Sequence, residues 1–224
     1  MGLIYTSQQL TAAQAFSEHK SLKIKAFAGT GKTTLLQLMA KRDGRRGLYI
    51  AYNNEIARAS RGKFPGNVVC KTAHALALGC LPADLREKAK RGNHLSRGQL
   101  ERFLNTRVAL SETDAKDLAW VAKQAMHWFC ISDDPYPALH HAQRALADSH
   151  MAIESDKVLA VLPAMWEAIA SVDGSLPLTF DGYLKVVQLS GMPLPFDYVL
   201  ADECQDTYPA IQSIIRNSGA QVAW

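Results

Sequence analysis

Residues Ala26 to Thr34 read AFAGTGKTT, and their spacing suits phosphate chemistry. Gly29 and Gly31 reach positive φ without a steric penalty, so backbone N–H groups in such a turn can converge on phosphate oxygens. A helix opening at this point adds the positive end of its dipole. Lys32 can then reach β- and γ-phosphates, and the Thr33 hydroxyl can ligate Mg²⁺. The candidate nucleotide-binding residues are therefore Ala28, Gly29, Thr30, Gly31, Lys32, Thr33 and Thr34. The strict form of the pattern begins with glycine, whereas this chain has Ala26 there. The competing reading is a fortuitous Gly-rich turn.

A phosphate loop needs an acidic group at the end of a neighbouring strand. Asp197 to Asp206 reads DYVLADECQD. Asp202 directly follows an apolar run, where it can hold Mg²⁺ through water. Glu203 is placed to polarise an attacking water as general base. Taken alone, an Asp-Glu pair after a strand is as well explained by surface acids; the phosphate loop gives it meaning.

These residues require a scaffold of parallel strands. Leu48 to Tyr52, Val68 to Cys70 and Tyr198 to Ala201 are short continuous apolar runs, as in strands buried on both faces. Leu22 to Ala28 reads as a further strand despite Lys23 and Lys25, because a Gly-rich turn and a helix follow at once. Gln221 to Trp224 starts another. Thr6 and Gln9 have capping-box spacing at the first helix, with Leu10, Ala13 and Phe16 as its apolar stripe. From about Leu81 to Ala170 the patterning is helical throughout. Ser96 opens one helix, with Leu100, Phe103, Leu104 and Val108 on a face. Ser111 and Asp114 open another, carrying Leu118, Val121, Ala125, Met126 and Phe129. Pro163 is expected to divide the stretch Val158 to Ala170. Trp120, Trp128 and Trp166 read as core. Lys88, Lys90, Arg91, Arg97, Arg102 and Arg107 read as a solvated face, with contact to DNA as the alternative. The fold class is α/β, a parallel sheet flanked by helices and interrupted by an all-helical insertion. The expected boundaries are 1–79 and 176–224 for the sheet domain and 80–175 for the insertion.

The bulk numbers agree. The 224 residues suffice for a real core, and the net charge of +4 is compatible with a nucleic-acid partner without demanding one. The four cysteines lack zinc-knuckle or CxxC spacing and read as free thiols of a reducing compartment. No apolar run approaches the ~20 residues of a membrane helix. With no signal-peptide pattern at the N-terminus either, a soluble cytoplasmic protein is expected.

Several ordered segments resemble the UvrD/Rep-like superfamily 1A DNA helicases, and within them the F-box DNA helicases and their bacterial and phage relatives. LKIKAFAGTGKTT resembles the family's P-loop segment, and YTSQQ, ending at Gln9, its adenine-contacting Q motif. LYIAYNNEIA resembles motif Ia and KTAHALA motif Ib. MHWFCISDDP and LTFDGYLKVVQLS resemble parts of the helical insertion and its exit, and DECQDTYPA matches motif II. The resemblance implies a RecA-like P-loop NTPase that binds ATP and Mg²⁺ and moves on single-stranded DNA. It implies an adenine contact at Gln9, with Gln14 as the alternative register. It gives Gln205 a role in coupling γ-phosphate to DNA grip, against a plain surface polar residue. Tyr52, Asn53, Thr72 and His74 become DNA contacts, against a core-edge tyrosine, a helix-capping asparagine and a packed histidine. The family's Gly-Asp-x-x-Gln motif and second RecA-like domain, with its arginine fingers, have no counterpart in this sequence. Such a domain is expected on another segment or chain. The alternatives are an inert ATP- or DNA-binding module, or another P-loop enzyme. The latter is disfavoured because no Asn-Lys-x-Asp guanine signature is present.

Overall fold

The computed structural model describes residues 4–27, 29–107, 112–149 and 151–224. Contacts divide the chain into two compact units. The first comprises residues 1–76, 191–207 and 212–224, and the second residues 77–190 and 208–211.

The first unit is α/β. Strands β1 (Gly47–Ala51), β2 (Val68–Thr72), β3 (Tyr198–Ala201) and β4 (Gln221–Ala223) form one parallel sheet in the order β2-β1-β3-β4. Every residue of β1 and β3 is buried, which explains their unbroken apolar runs. Helices α1 (Ser7–Ser17) and α2 (Lys32–Arg42) contribute Ala13, Phe16, Leu35, Leu36 and Met39 to a core shared with Tyr49, Phe64 and Tyr198. Gly47 lets that core close: a Cβ there would meet the Tyr198 ring at 2.3 Å. The short helix α3 (Asn54–Arg61) joins β1 to β2.

Two expectations are corrected in this unit. The run 22–28 is not a strand among the described residues. Leu22 makes a single parallel bridge to Ala223, and backbone bonds run from Leu22 N to Val222 O (2.7 Å) and from Ile24 N to Trp224 O (2.6 Å). The segment has only β4 beside it and alternates exposed Lys23 and Lys25 with Leu22 and Ile24, a sheet edge blunted by charge. After Ile24 the chain leaves the sheet for the loop. In α1 the capping box of Thr6 and Gln9 forms, but Leu10 is 40% exposed, so the stripe narrows to Ala13 and Phe16.

The second unit is helical throughout its described residues. Around α7 (Glu112–Ile131) pack α6 (Arg97–Asn105), α8 (Leu139–Ser149), α9 (Ser155–Ala170) and α10 (Phe180–Ser190). Helix α4 (Ala73–Cys80) contains the boundary between the units, and α5 (Ala83–Arg91) precedes α6. Contacts of α10 with α7 and α9 carry this unit on to Ser190, past the boundary near 175 read from sequence. Leu118, Val121, Ala125, Met126 and Phe129 are buried along α7, and the box of Ser96 and Gln99 caps α6. Val108 and Ser111 lie outside the described residues. Helix α9 runs unbroken through Pro163, because burial of Val158, Val161, Leu162, Met165 and Ile169 outweighs the lost backbone bond. The three tryptophans are half-buried rather than core; Trp128 lies under the Arg144 guanidinium at 3.5 Å. The four cysteines are free thiols, and no described helix is long and apolar enough to cross a membrane.

Lys88 is not part of a solvated face. It is buried, and its Nζ donates to the carbonyls of Ala168, Ser171 and Gly174 where α9 ends. Lys185 does the same beyond α7. It is fully buried, donates to the Ser132 carbonyl at 3.1 Å and to that of Asp134, and lies over the Phe129 ring. Both ammoniums meet the negative end of a helix.

Burial lowers the Lys185 ammonium pKa to about 8. In the unfolded chain the lysine keeps its proton to about pH 10.4. Between these values the unfolded state binds more protons, so this residue makes stability rise with pH. In urea melts from pH 7.5 to 10, the wild type is expected to gain stability relative to Lys185→Met. Parallel pH curves would refute it.

Candidate functional site

The loop after Ile24 turns on two glycines with positive φ, Gly29 at 76° and Gly31 at 85°. Gly31 is the N-cap of α2 and, lacking a side chain, leaves the helix start without a side-chain cap. Ala28 lies outside the described residues. Thr30 hydroxyl donates to the Phe27 carbonyl at 2.7 Å and braces the turn, while Thr34 stands in the first turn of α2. Gln9 Nε2 lies 3.5 Å from the Gly31 carbonyl, while its Oε1 accepts from Thr6 N. Gln14 instead bonds Glu18 within its own helix. The geometry thus brings Gln9, and not Gln14, to the loop.

The acidic pair enters from β3. Asp202 N still bonds the Ile50 carbonyl, so Asp202 continues the sheet by one residue. Glu203 then adopts left-handed backbone, with φ 50° and ψ 40°. That conformation costs about 1 kcal/mol or more in a residue other than glycine, and it sends the two carboxylates different ways. Asp202 Oδ2 accepts from the Thr33 hydroxyl at 2.6 Å and from the Tyr49 hydroxyl at 3.0 Å, and its Oδ1 accepts from Glu203 N. Glu203 Oε2 lies 3.3 Å from Lys32 Nζ and accepts from Gln205 Nε2. The Gln205 amide, followed by the Lys32 ammonium, holds the Glu203 carboxyl below its ordinary range, so it is ionised at neutral pH. Gln205 also bonds Asp206, bridging two carboxylates.

This donor set fits magnesium bound with a nucleotide. Thr33 Oγ1 and Asp202 Oδ2 are two hard oxygens in contact at the start of an uncapped helix, and Mg²⁺ takes few protein ligands beside phosphate and water. A cleft of about 700 Å³ opens beside Lys32 and Glu203, bordered by Lys25, Phe27 and Gln205. The sequence did not reveal Tyr49 as a partner of Asp202. The available signal was a phenol inside a fully buried strand, which needs a polar partner.

Ala51 pairs with Thr72, so the residues after β1 and those ending β2 share the same sheet edge. Tyr52 is 62% exposed. Asn53 caps α3 by accepting from Ile56 N at 2.8 Å, and the Thr72 hydroxyl accepts from Ala75 N at 3.2 Å. The capping roles of Asn53 and Thr72 are thus in place; Thr72 is buried and His74 half-buried.

One other cluster among the described residues could hold a metal: Asp134, His140 and His141. His141 Nδ1 accepts from Ala138 N at 2.9 Å, so its neutral ring carries its proton on Nε2, pointed at Asp134. That nitrogen is a donor to the carboxylate and has no lone pair for a cation.

Over 211 residues, 87% of this chain, the sequence is 34% identical to F-box DNA helicase protein 1 of Schizosaccharomyces pombe. It is 32% identical over 212 residues to F-box DNA helicase 1 of Gallus gallus. The chain spans 24% and 20% of the lengths of these relatives. These similarities relate it to the helicases. No family model and no solved structure matches.

Gly31→Ala tests the loop. Its Cβ would stand 3.0 Å from Gln9 Nε2 on a backbone that L-residues avoid. The expected result is a stability loss of about 1 kcal/mol and at least tenfold weaker Mg-ATP binding by calorimetry. Unchanged affinity would place the nucleotide elsewhere.

Proposed function

We propose, on the premise of that kinship with DNA helicases, that the chain is the ATP-binding part of a UvrD/Rep-like superfamily 1A motor acting on single-stranded DNA. The observation that carries this reading is the meeting of Thr33 with Asp202 and of Lys32 with Glu203. These pairs are separated by 169 and 171 residues in sequence and join at the carboxyl edge of one parallel sheet.

In the proposed cycle ATP phosphates replace Glu203 as the partner of Lys32. The loop N–H groups and the start of α2 cradle them. Bound Mg²⁺ would supply neutralisation of phosphate charge, and Thr33 and Asp202 would hold it. Released from Lys32, the ionised Glu203 orients a water against the γ-phosphorus and accepts its proton as the bridging oxygen of ADP departs. Gln205, which touches Glu203 and Asp206, is placed to transmit the state of the γ-phosphate. Gln9 serves the adenine side. Tyr52, Asn53 and His74 form the DNA surface, Tyr52 by stacking and the others by backbone or phosphate contact, while the buried Thr72 caps the helix behind them.

Charge on the γ-phosphoryl oxygens also calls for an arginine opposite the loop, worth about 10³–10⁵ in rate in related NTPases. A second RecA-like domain, on a further segment or a separate chain, is the proposed source.

The isolated chain should therefore bind Mg-ATP detectably, hydrolyse it very slowly and not unwind DNA. Calorimetry should show Lys32→Ala losing most of the binding; equal affinity would overturn the phosphate site. DNA binding should weaken steeply with salt. Robust DNA-stimulated turnover that disappears in Glu203→Gln would show that a second copy supplies the arginine.

A further inference from the structure

The least explained atom near the phosphate site is the hydroxyl of Tyr49. The side chain is fully buried at the centre of β1, and its ring packs on Phe64 with centroids 4.5 Å apart. Phenylalanine would satisfy that packing. A phenol in a core costs free energy unless it is bonded, so the hydroxyl needs a further reason. It donates to Asp202 Oδ2 at 3.0 Å.

Asp202 is held by three donors of different origin. Thr33 belongs to the phosphate loop and is itself a metal ligand in the proposed cycle. The Glu203 N–H sits on a left-handed residue whose side chain must exchange partners during turnover. Tyr49 alone is fixed by the core. A phenol carries its proton at neutral pH, so it donates.

We propose that Tyr49 is a positioning residue for Asp202. The proposal rests on the reading of Asp202 as a metal-holding carboxylate. A carboxylate with a rigid donor on one oxygen presents its remaining lone pairs in a fixed direction. Partners of this kind to metal-binding groups typically change metal affinity 10–100-fold when removed.

The test separates the metal's contribution from that of the nucleotide. Calorimetry measures affinity for Mn-ATP and, in EDTA, for metal-free ATP, in wild type, Tyr49→Phe and Tyr49→Met. Tyr49→Phe is expected to weaken Mn-ATP binding about tenfold while metal-free ATP binding stays within about twofold of wild type. Tyr49→Met, which also removes the hydroxyl, is expected to move the same ratio in the same direction and carries the test should Tyr49→Phe fold poorly. An unchanged ratio in both variants, beside a wild type that prefers Mn-ATP, overturns the proposal alone. Equal loss of Mn-ATP and ATP binding also overturns it, because the hydroxyl would then serve the fold. A wild type indifferent to the metal removes Asp202's metal role, and this proposal with it.

Discussion

The hydrogen bonds that converge on Asp202 are the constraint on which the site depends. Strand β3 occupies an interior position in the sheet, so the residue just past its end can be reached from β1 and from the start of α2. The last sheet bond of Asp202, to Ile50, fixes its backbone, and the left-handed turn at Glu203 fixes the divergence of the two acids. A regular extended residue at 203 would carry its side chain toward the opposite face of the sheet. The strain at that position is therefore tied to one outcome: a carboxylate beside the threonine and another beside the lysine, each with its own partner.

A different device holds the helical unit. Lys88 and Lys185 each place an ammonium against the carbonyls beyond a helix C-terminus, α9 in one case and α7 in the other. A buried charge is expensive unless hydrogen-bonded and electrostatically matched. Three carbonyls and a helix end satisfy Lys88; two carbonyls, a helix end and an aromatic face satisfy Lys185. Apolar contacts hold these helices against one another without fixing their ends. Directional bonds from lysines fix where each chain segment leaves its helix.

Much of this was legible from the residues alone. The strands β1 and β3 announced themselves because burial on both faces leaves unbroken apolar runs, and α1 because a capping box has a fixed spacing. The turn at Gly29 and Gly31 was legible because positive φ at two positions demands glycine. Less readable were features decided by tertiary surroundings. The Gly-rich turn and helix that follow residues 22–28 made an edge segment read as a strand, although Lys23 and Lys25 spoke against it. Pro163 looked like a break because its local cost is visible in sequence and the compensating burial is not. Lys88 looked solvated because charge is visible and the carbonyls it meets come from residues 168 to 174. Tyr49 was hidden for the same reason, since its partner arrives 153 residues later.

The strand order also determines when the phosphate loop acquires support. The segment leading into the loop pairs with β4, and β4 pairs with β3; β1 and β2 do not adjoin it. As the chain is synthesised, β1 and β2 can associate early, and the helical unit can form from its own, mostly nearer, contacts. The loop has already emerged but has no sheet beside it until residues 198 to 224 are made. Closing so long a chain costs conformational entropy that shorter closures avoid. The turn that carries Gly29 and Gly31 thus depends for its sheet neighbour on strands encoded some two hundred residues further along the chain.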